Sequence, residues 1–345
     1  MFLLYGAMGP RMQARTPIQP SEDLRHTPDI RRGAGLAVAT GCGAPLGAFG
    51  EFCILAAMQA DTIHVVPLSQ ALGAEIVGLD LARPVEDGTA RLLRAAWGRH
   101  LVLVVRGLAG LSAEAQMRFC RVFGEIGARA RPAATRHEPE GAPAGMMYVS
   151  NLKQDGRYIG SLPDGEMQFH IDQCYTAAPA IGGCLYAMEI PGSGGDTMFG
   201  NLCRAWETLP ADLQHAVADR RAVHVFDHAA YGAQTRDANR PAEGLPSAAH
   251  PIAMRHPETG ATLLYVNRLM TTHVEGLEAR ESAAILAKLF DHQERPELIY
   301  THRWRVGDLL LWDNRCTIHA RTDFDPSERR HLRRFTLQPR QDRET

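Results

Sequence analysis

The chain has 345 residues, of which 45% are hydrophobic and 22% are charged, a composition typical of a globular protein and not of a fibrous or disordered one. Its formal net charge at pH 7 is -2, because 39 acidic residues offset 37 basic ones, and this balance argues against a nucleic-acid-binding protein. The seven cysteines include no Cys-x-x-Cys pair, so the sequence predicts neither a disulfide framework nor a structural zinc site, and a reducing cytoplasm is the expected location.

The beginning of the chain differs from the remainder. Residues 1–57 show no helical or strand periodicity, and Met58 opens the patterned part. We therefore expect residues 1–57 to be a disordered or mis-called extension and residues 58–345 to form a single domain. The apolar stretch at 46–58 contains Glu51 and is shorter than the roughly 20 residues that a membrane-spanning helix needs, so no membrane partner is expected.

The first patterned segment mixes short strands with two helices. Its periodicity predicts strands at 63–66, 74–77 and 101–105, and helices at 89–100 and 112–123. Ser112 is the expected N-cap of the second helix. Residues 129–145 are rich in Pro, Ala, Gly and charge, which predicts a loop, and 129–165 is the candidate lid.

Strands dominate the second half of the chain. They are predicted at 147–149, 168–172, 183–189, 197–199, 222–226, 263–266, 308–312, 317–320 and 333–337, with helices at 203–218 and 276–292. Strands and helices do not alternate, and no glycine-rich phosphate loop is present. The expected fold is therefore mainly β with flanking helices, an antiparallel sandwich or barrel.

His170 and Asp172 are the first candidate metal ligands. Residues two apart in a strand face the same side, so both side chains can reach one metal ion. A lone His-x-Asp pair is a weak signal, and His-x-Glu pairs compete with it at His256, His273 and His292. His319, on a later strand, completes a set of two histidines and one carboxylate, which leaves open coordination positions where a structural zinc would want four protein ligands.

Two arginines follow His319 at eleven and fifteen positions. Arg330 and Arg334 share one face if the last strand begins near Arg330, and a guanidinium there can hold a carboxylate through two parallel hydrogen bonds. The alternative is a solvated run of charge on an edge strand, which suits Arg329 and Arg333 on the opposite face.

At this point the sequence resembles the taurine dioxygenase family of non-haem iron and 2-oxoglutarate-dependent dioxygenases, which includes the aryloxyalkanoate dioxygenases. The resemblance covers about residues 63–337. It is carried by motifs in family order, namely Phe169-His170-Ile171-Asp172, Gly194-Gly195-Asp196-Thr197, His256-Pro257-Glu258-Thr259-Gly260, Leu264-Tyr265-Val266-Asn267-Arg268 and Trp312-Asp313-Asn314-Arg315.

The resemblance implies a double-stranded β-helix, or jelly-roll, core and a dioxygenase catalytic domain at 58–345. It implies Fe(II) held by His170, Asp172 and His319, with O2 and 2-oxoglutarate as co-substrates. Thr197 and Arg330 are then expected to bind the distal carboxylate of 2-oxoglutarate. Family members often have Thr or Ser between the first two ligands, and Ile171 departs from that pattern.

Arg334 resembles the family position that meets an anionic group on the substrate, with support of the co-substrate as its alternative role. Trp312 resembles a packing residue behind the metal. The expected reaction is hydroxylation of a small, anionic organic molecule of sulfonate, carboxylate or aryloxyalkanoate type, with release of succinate and CO2. A zinc-dependent hydrolase on the same ligands and a non-catalytic jelly-roll binding protein remain as alternatives. The sequence leaves the oligomeric state open, and a homodimer or homotetramer is compatible with it.

Overall fold

The structure is a computed structural model that describes residues 63–128, 142–161, 165–226 and 244–340. The expectations for residues 1–57 and for residues 129–141 of the predicted loop at 129–145 lie outside the described residues, and the candidate lid at 129–165 is described only in part. Within the described ranges, no helix is both long and apolar enough to span a membrane.

Short strands make up most of the regular structure. The strands are β1 His64–Pro67, β2 Ala74–Val77, β3 Val102–Val105, β4 Glu125–Ile126, β5 Met147–Ser150, β6 Lys153–Gln154, β7 Arg157–Tyr158, β8 Met167–His170, β9 Gly182–Glu189, β10 Thr197–Asn201, β11 Arg221–Val225, β12 Ser247–Pro251, β13 Ala253–Arg255, β14 Thr262–Leu264, β15 Thr271–Val274, β16 Ile299–His302, β17 Leu309–Asp313, β18 Thr317–Arg321 and β19 His331–Gln338. The helices are α1 Asp87–His100, α2 Ala113–Cys120, α3 Leu202–Glu207, α4 Ala211–Val217 and α5 Ala279–Gln293, and a 3-10 turn spans Pro296–Leu298. The predicted mainly β class with helices is confirmed.

Two sheets enclose the central core. The larger has the order β1-β2-β3-β17-β9-β19-β4, with β5 also paired to β19, and the smaller has the order β16-β10-β18-β8. One cluster of buried side chains contains Leu310 and Leu332 from the larger sheet together with Phe199 and Ile318 from the smaller. Burial of this apolar surface between the sheets is the main source of stability for such a sandwich.

One strand pair departs from the predicted antiparallel arrangement. β2 and β3 are parallel, with Ala74 opposite Leu103. A parallel pair needs a crossover connection, and α1 provides it between the two strands. The helix buries Leu93 and Trp97.

The helix predictions are partly confirmed. Ser112 caps α2, since its Oγ accepts a hydrogen bond of 3.1 Å from the Ala115 backbone N–H. The predicted single helix at 203–218 is wrong, because Pro210 separates α3 from α4. Proline has no N–H to donate and disfavours a helical conformation in the residue before it, so the break was already encoded in the sequence.

A buried charge network supports the turn between β17 and β18. Asp313 accepts hydrogen bonds from Arg315 Nε at 2.9 Å and Nη2 at 2.6 Å, and its Oδ2 lies 3.2 Å from His256 Nε2. His256 Nδ1 accepts a hydrogen bond from the Thr259 N–H at 3.1 Å, so the imidazole proton is on Nε2 and faces the carboxylate. This arrangement joins two of the sequence motifs through their polar side chains.

An Asp313→Asn substitution should destabilise the fold by about 3–5 kcal/mol, because it removes the fully buried carboxylate that His256 and Arg315 share. Burial alone would raise the pKa of Asp313, but His256 and Arg315 outweigh it and hold the pKa below the ordinary 3.8. The carboxylate therefore contributes stability above the unfolded-state pKa and loses that contribution as the pH falls through the lower folded pKa. Urea unfolding at pH 7 should reveal the full difference, which should shrink as the pH falls below about 4.

Asp291→Asn is a matched control, since Asp291 is an exposed carboxylate paired with Arg268. It should change the unfolding free energy by no more than about 0.5–1 kcal/mol. Equal losses in the two variants would contradict a structural role for the Asp313 network.

Candidate active site

Two histidines lie side by side on the smaller sheet. His170 ends β8, and His319 is directly opposite it in β18. Both are buried, with ring centroids 4.0 Å apart. Strand pairing therefore brings together two residues that are far apart in the sequence.

Asp172 does not lie on the strand that carries His170. The predicted strand at 168–172 is wrong at its end, because β8 stops at His170 and the chain turns there. Asn314 fixes the turn: its Oδ1 accepts from the Asp172 N–H at 2.9 Å, and its Nδ2 donates to the Asp172 carbonyl at 2.9 Å. Ile171 is fully buried in the core, which explains an apolar residue between the two ligand candidates.

The turn brings the Asp172 carboxylate against both imidazoles. Asp172 Oδ1 lies 3.9 Å from His170 Nε2, and Asp172 Oδ2 lies 3.5 Å from His319 Nε2. One ligand atom from each residue lies within 4.8 Å of the others, a spacing that can hold one metal ion. Trp312 is fully buried with its ring centroid 5.0 Å from that of His319, as expected for a packing residue behind the metal.

The protonation states suit a metal centre. Burial lowers the pKa of His170 despite the opposing charge of Asp172, and burial together with His170 lowers the pKa of His319 well below its ordinary value. Burial alone would raise the pKa of Asp172, but Arg334 and the two histidines outweigh it and bring the pKa to about 2. Two neutral imidazoles and one carboxylate are the forms that bind a divalent metal.

The second possible cluster of ligand atoms is structural. It comprises His256, Asp313 and Cys316, the other such group among the described residues. Arg315 occupies both oxygens of Asp313, and both imidazole nitrogens of His256 are hydrogen-bonded. Of the competing His-x-Glu pairs, only His256 enters a cluster in the described part of the chain, and it does so without Glu258.

Thr197 and Arg330 line the same cavity as the two histidines. Arg330 is 2% exposed, and its Nε and Nη2 donate to the Gly195 carbonyl at 3.2 and 3.1 Å. Its Nη1 is buried and has no hydrogen-bond partner among the described residues. Burial, with the nearby charge of Arg321, lowers the pKa of Arg330 to about 9 although Asp196 opposes the shift. A buried guanidinium with a free donor fits a carboxylate ligand such as the distal end of 2-oxoglutarate.

Gly195 explains part of the glycine-rich motif before Thr197. Its φ is +65°, and a Cβ added there would lie 3.0 Å from Arg330 Nε. A side chain at this position would therefore strain the backbone and displace the guanidinium that its carbonyl holds.

Arg334 faces the same cavity, and its guanidinium forms an ion pair with Asp172 Oδ2. Its Nε is buried without a partner among the described residues.

β19 is not a solvated edge strand, because it pairs with β9 on one side and with β4 and β5 on the other. Arg329 is exposed as expected, but Arg333 is buried and donates to Gln116 Oε1 at 2.7 Å.

Three residues of the site were not predicted from the sequence. They are Asn314, which fixes the Asp172 turn, Arg321, which lines the cavity, and Trp304, which hydrogen-bonds Thr197. The position of Asn314 directly after a buried strand was a usable signal, since polar side chains at strand ends often support sites. Nothing in the local pattern distinguished Arg321 or Trp304.

Comparison with known proteins agrees with this geometry. The model of the taurine catabolism dioxygenase TauD, TfdA family matches residues 64–336. The chain belongs to this family. It is therefore an enzyme of a dioxygenase group, as predicted, and relatives in the group are named as alpha-ketoglutarate-dependent.

Curated relatives align over nearly their whole length. The alpha-ketoglutarate-dependent 2,4-dichlorophenoxyacetate dioxygenase of Cupriavidus pinatubonensis is 31% identical over 284 residues, covering 78% of this chain and 96% of the relative. Pentalenolactone F synthase of Streptomyces avermitilis is 31% identical over 283 residues, covering 76% and 90%. The solved structure of AAD-2 in complex with Mn(II) and N-oxalylglycine is 25% identical, with a TM-score of 0.65 and coverage of 81% of this chain and 98% of that chain.

Proposed function

We propose that this enzyme uses Fe(II), O2 and 2-oxoglutarate to hydroxylate a small, anionic organic substrate, with release of succinate and CO2. The observation that supports this most is the His170, Asp172 and His319 cluster beside the free, buried Nη1 of Arg330. The two facing sheets are proposed as the double-stranded β-helix core, and residues 58–345 as the catalytic domain. The five described cysteines are free thiols, which supports the expected cytoplasmic location.

The three candidate ligands would hold iron on one face and leave the opposite face accessible. His170 Nδ1 lies 2.9 Å from the Gln168 carbonyl, so this nitrogen carries the proton and Nε2 offers its lone pair. When bound, the iron and 2-oxoglutarate supply the oxidative chemistry. The protein contributes the fixed position of the carboxylate-binding groups and the apolar side chains of the lining, Val149, Met167 and Leu185 among them, which exclude water.

The charge of the cavity favours an anionic primary substrate. Its described lining includes three arginines, Arg321, Arg330 and Arg334, and no acidic side chain apart from the adjoining Asp172. A divalent metal adds two positive charges, whereas 2-oxoglutarate brings two negative ones. The remaining positive charge supports an anionic group on the substrate, and Arg334 is the proposed contact. The relative from Cupriavidus pinatubonensis is named for a substrate with a carboxylate, which agrees with this proposal.

An anaerobic titration tests the cofactor assignment. Adding Fe(II) and 2-oxoglutarate to the protein should produce a visible charge-transfer band, and admitting O2 should release succinate. Hydrolysis of a substrate without oxygen would favour the zinc hydrolase instead. A folded, metal-loaded protein that forms no band and no succinate would overturn the proposal.

Arg334→Ala tests the substrate class. Loss of a buried guanidinium that pairs with a substrate anion should raise KM for sulfonate, carboxylate or aryloxyalkanoate substrates by about thirtyfold or more. Succinate formation without primary substrate is measured alongside, because it reports separately any effect that loss of the Arg334–Asp172 ion pair has on the metal site. Unchanged KM for every anionic substrate in the panel would show that Arg334 does not select the substrate.

A further inference from the structure

Trp304 makes a direct contact with the Thr197 side chain. The indole Nε1–H donates a hydrogen bond of 3.0 Å to Thr197 Oγ1, and both residues are buried. Trp304 follows β16 by two residues, and β16 pairs with β10 so that His302 lies opposite Thr197. The contact therefore connects the start of β10 with the segment that follows its neighbouring strand.

The direction of this hydrogen bond is unambiguous. An indole has one N–H donor and no acceptor, so the Thr197 oxygen must accept. A threonine hydroxyl has one hydrogen and two lone pairs, and accepting from the indole leaves the hydrogen for another partner. Among the described residues no group accepts a hydrogen bond from Thr197, whose side chain lines the cavity beside Arg330.

The indole is itself held in place. Its ring makes an edge-on contact with His302, with centroids 4.5 Å apart and planes at 85°. Tyr300 hydrogen-bonds His302 Nδ1 at 3.1 Å, and Asp308 Oδ2 lies 3.1 Å from His302 Nε2. Arg106 donates to the same Asp308 oxygen at 2.7 Å. The position of the indole therefore depends on packed side chains that lie outside the cavity.

We propose that Trp304 is a positioning residue that fixes the Thr197 hydroxyl as a hydrogen-bond donor toward the distal carboxylate of the co-substrate. This inference rests on the proposed function of the site. Thr197 Oγ1 and Arg330 Nη1 together form a carboxylate cradle with two free donors. The one lone pair left on Thr197 Oγ1 can accept from a ligand only if the hydroxyl hydrogen is left without an acceptor. A carboxylate satisfies both donors, whereas a primary amide places an N–H against one of them, so the cradle selects the acid.

The test compares 2-oxoglutarate with its distal amide, 2-oxoglutaramate. Calorimetry on Mn(II)-loaded protein measures both dissociation constants without turnover. Trp304→Phe keeps an aromatic ring and removes the N–H, so Thr197 becomes free to rotate and to accept. The affinity for 2-oxoglutarate should fall by about threefold to tenfold. The acid-to-amide ratio, that is, the affinity for 2-oxoglutarate divided by the affinity for 2-oxoglutaramate, should decrease by a similar factor.

Two further variants make the result specific. Trp206→Phe, a tryptophan in α3 outside the cavity lining, should leave both constants unchanged. In a Thr197→Val background, Trp304→Phe should have no further effect on the acid-to-amide ratio, because the hydroxyl that it orients is gone. An equal effect with and without the hydroxyl would overturn the inference.

If Trp304→Phe does not fold, Trp304→Met serves instead, because it also removes the N–H while keeping an apolar side chain, and it should also narrow the ratio. A folded Phe or Met variant with an unchanged ratio would overturn the role of Trp304 while leaving the co-substrate assignment intact. Failure of the wild-type protein to bind 2-oxoglutarate in the presence of metal would instead overturn the proposed function.

Discussion

Replacing His319 with alanine is expected to abolish metal binding and, with it, succinate formation. His319 is buried, and its Nε2 faces the Asp172 carboxylate across 3.5 Å. Substitutions that only support a metal ligand cost about 10–100-fold in affinity, so loss of one of three ligands should cost more than about a hundredfold. The remaining His170 and Asp172 offer too few protein ligands for a stable centre.

Thermal unfolding with and without Mn(II) measures this effect independently of activity. A metal at a hundred times its dissociation constant stabilises the folded state by about 2.7 kcal/mol, and the wild-type melting temperature should rise accordingly. The His319→Ala variant should show no such rise. His292→Ala is the matched control, because His292 is a buried histidine of α5 whose Nε2 bonds the Ala205 carbonyl at 2.9 Å.

The His292→Ala control should have a lower melting temperature than the wild type, but Mn(II) should still raise it. The comparison therefore uses the metal-induced change in melting temperature of each variant and not the melting temperature itself. A full metal-induced shift in His319→Ala would contradict the assigned ligand set. The same result in His170→Ala would place the metal elsewhere in the molecule.

The sequence predicted those features of the site that depend on residues close together in the chain. It did not predict those that depend on residues far apart in the chain. The orientation of Arg330 and Arg334 toward the same cavity was predictable, because both belong to one segment at the start of β19. In such a segment, alternate residues face the same side of the sheet. The burial of Arg333 was not, since it depends on Gln116, which is 217 positions away in the sequence. A charge run on a strand is consistent with either an exposed edge or a buried network.

The same distinction applies to Asp172. The prediction that the Asp172 and His170 side chains lie close together is confirmed, but the reason given, two residues on one strand, was wrong. The carboxylate reaches the imidazoles because Asn314, 142 positions later, holds the backbone in a turn. The break of the helix at Pro210, by contrast, was predictable from proline itself, which lacks a backbone N–H. A prediction based on apolar periodicity alone did not take this into account.

Arg330→Met should remove 2-oxoglutarate binding without destabilising the metal-free protein. The guanidinium is the expected anchor of the distal carboxylate, and loss of charge-assisted hydrogen bonds to it should weaken binding by roughly a hundredfold or more. Calorimetric titration of 2-oxoglutarate into Mn(II)-loaded protein measures the loss. Arg329→Met is the matched control one residue away, because Arg329 is exposed and pairs with Glu189.

The expected unfolding free energy of the Arg330→Met variant follows from the pKa of Arg330. Burial lowers the pKa of Arg330 from 12.5 to about 9, so the folded protein holds this proton less tightly than the unfolded chain does. Below pH 9 the charge therefore opposes folding, and this cost disappears as the pH rises toward the unfolded-state value. Methionine removes the cost and loses two bonds to the Gly195 carbonyl, each worth about 1 kcal/mol, together with the contact between the guanidinium and the Phe324 ring.

Urea unfolding at pH 7 should thus give Arg330→Met a stability within about 1 kcal/mol of the wild type, or above it. A buried cation kept at a cost to the fold is expected where a ligand of opposite charge repays it, as at a co-substrate site. If Arg330→Met binds 2-oxoglutarate normally and unfolds far more easily, Arg330 is a structural arginine and the carboxylate is held by other groups.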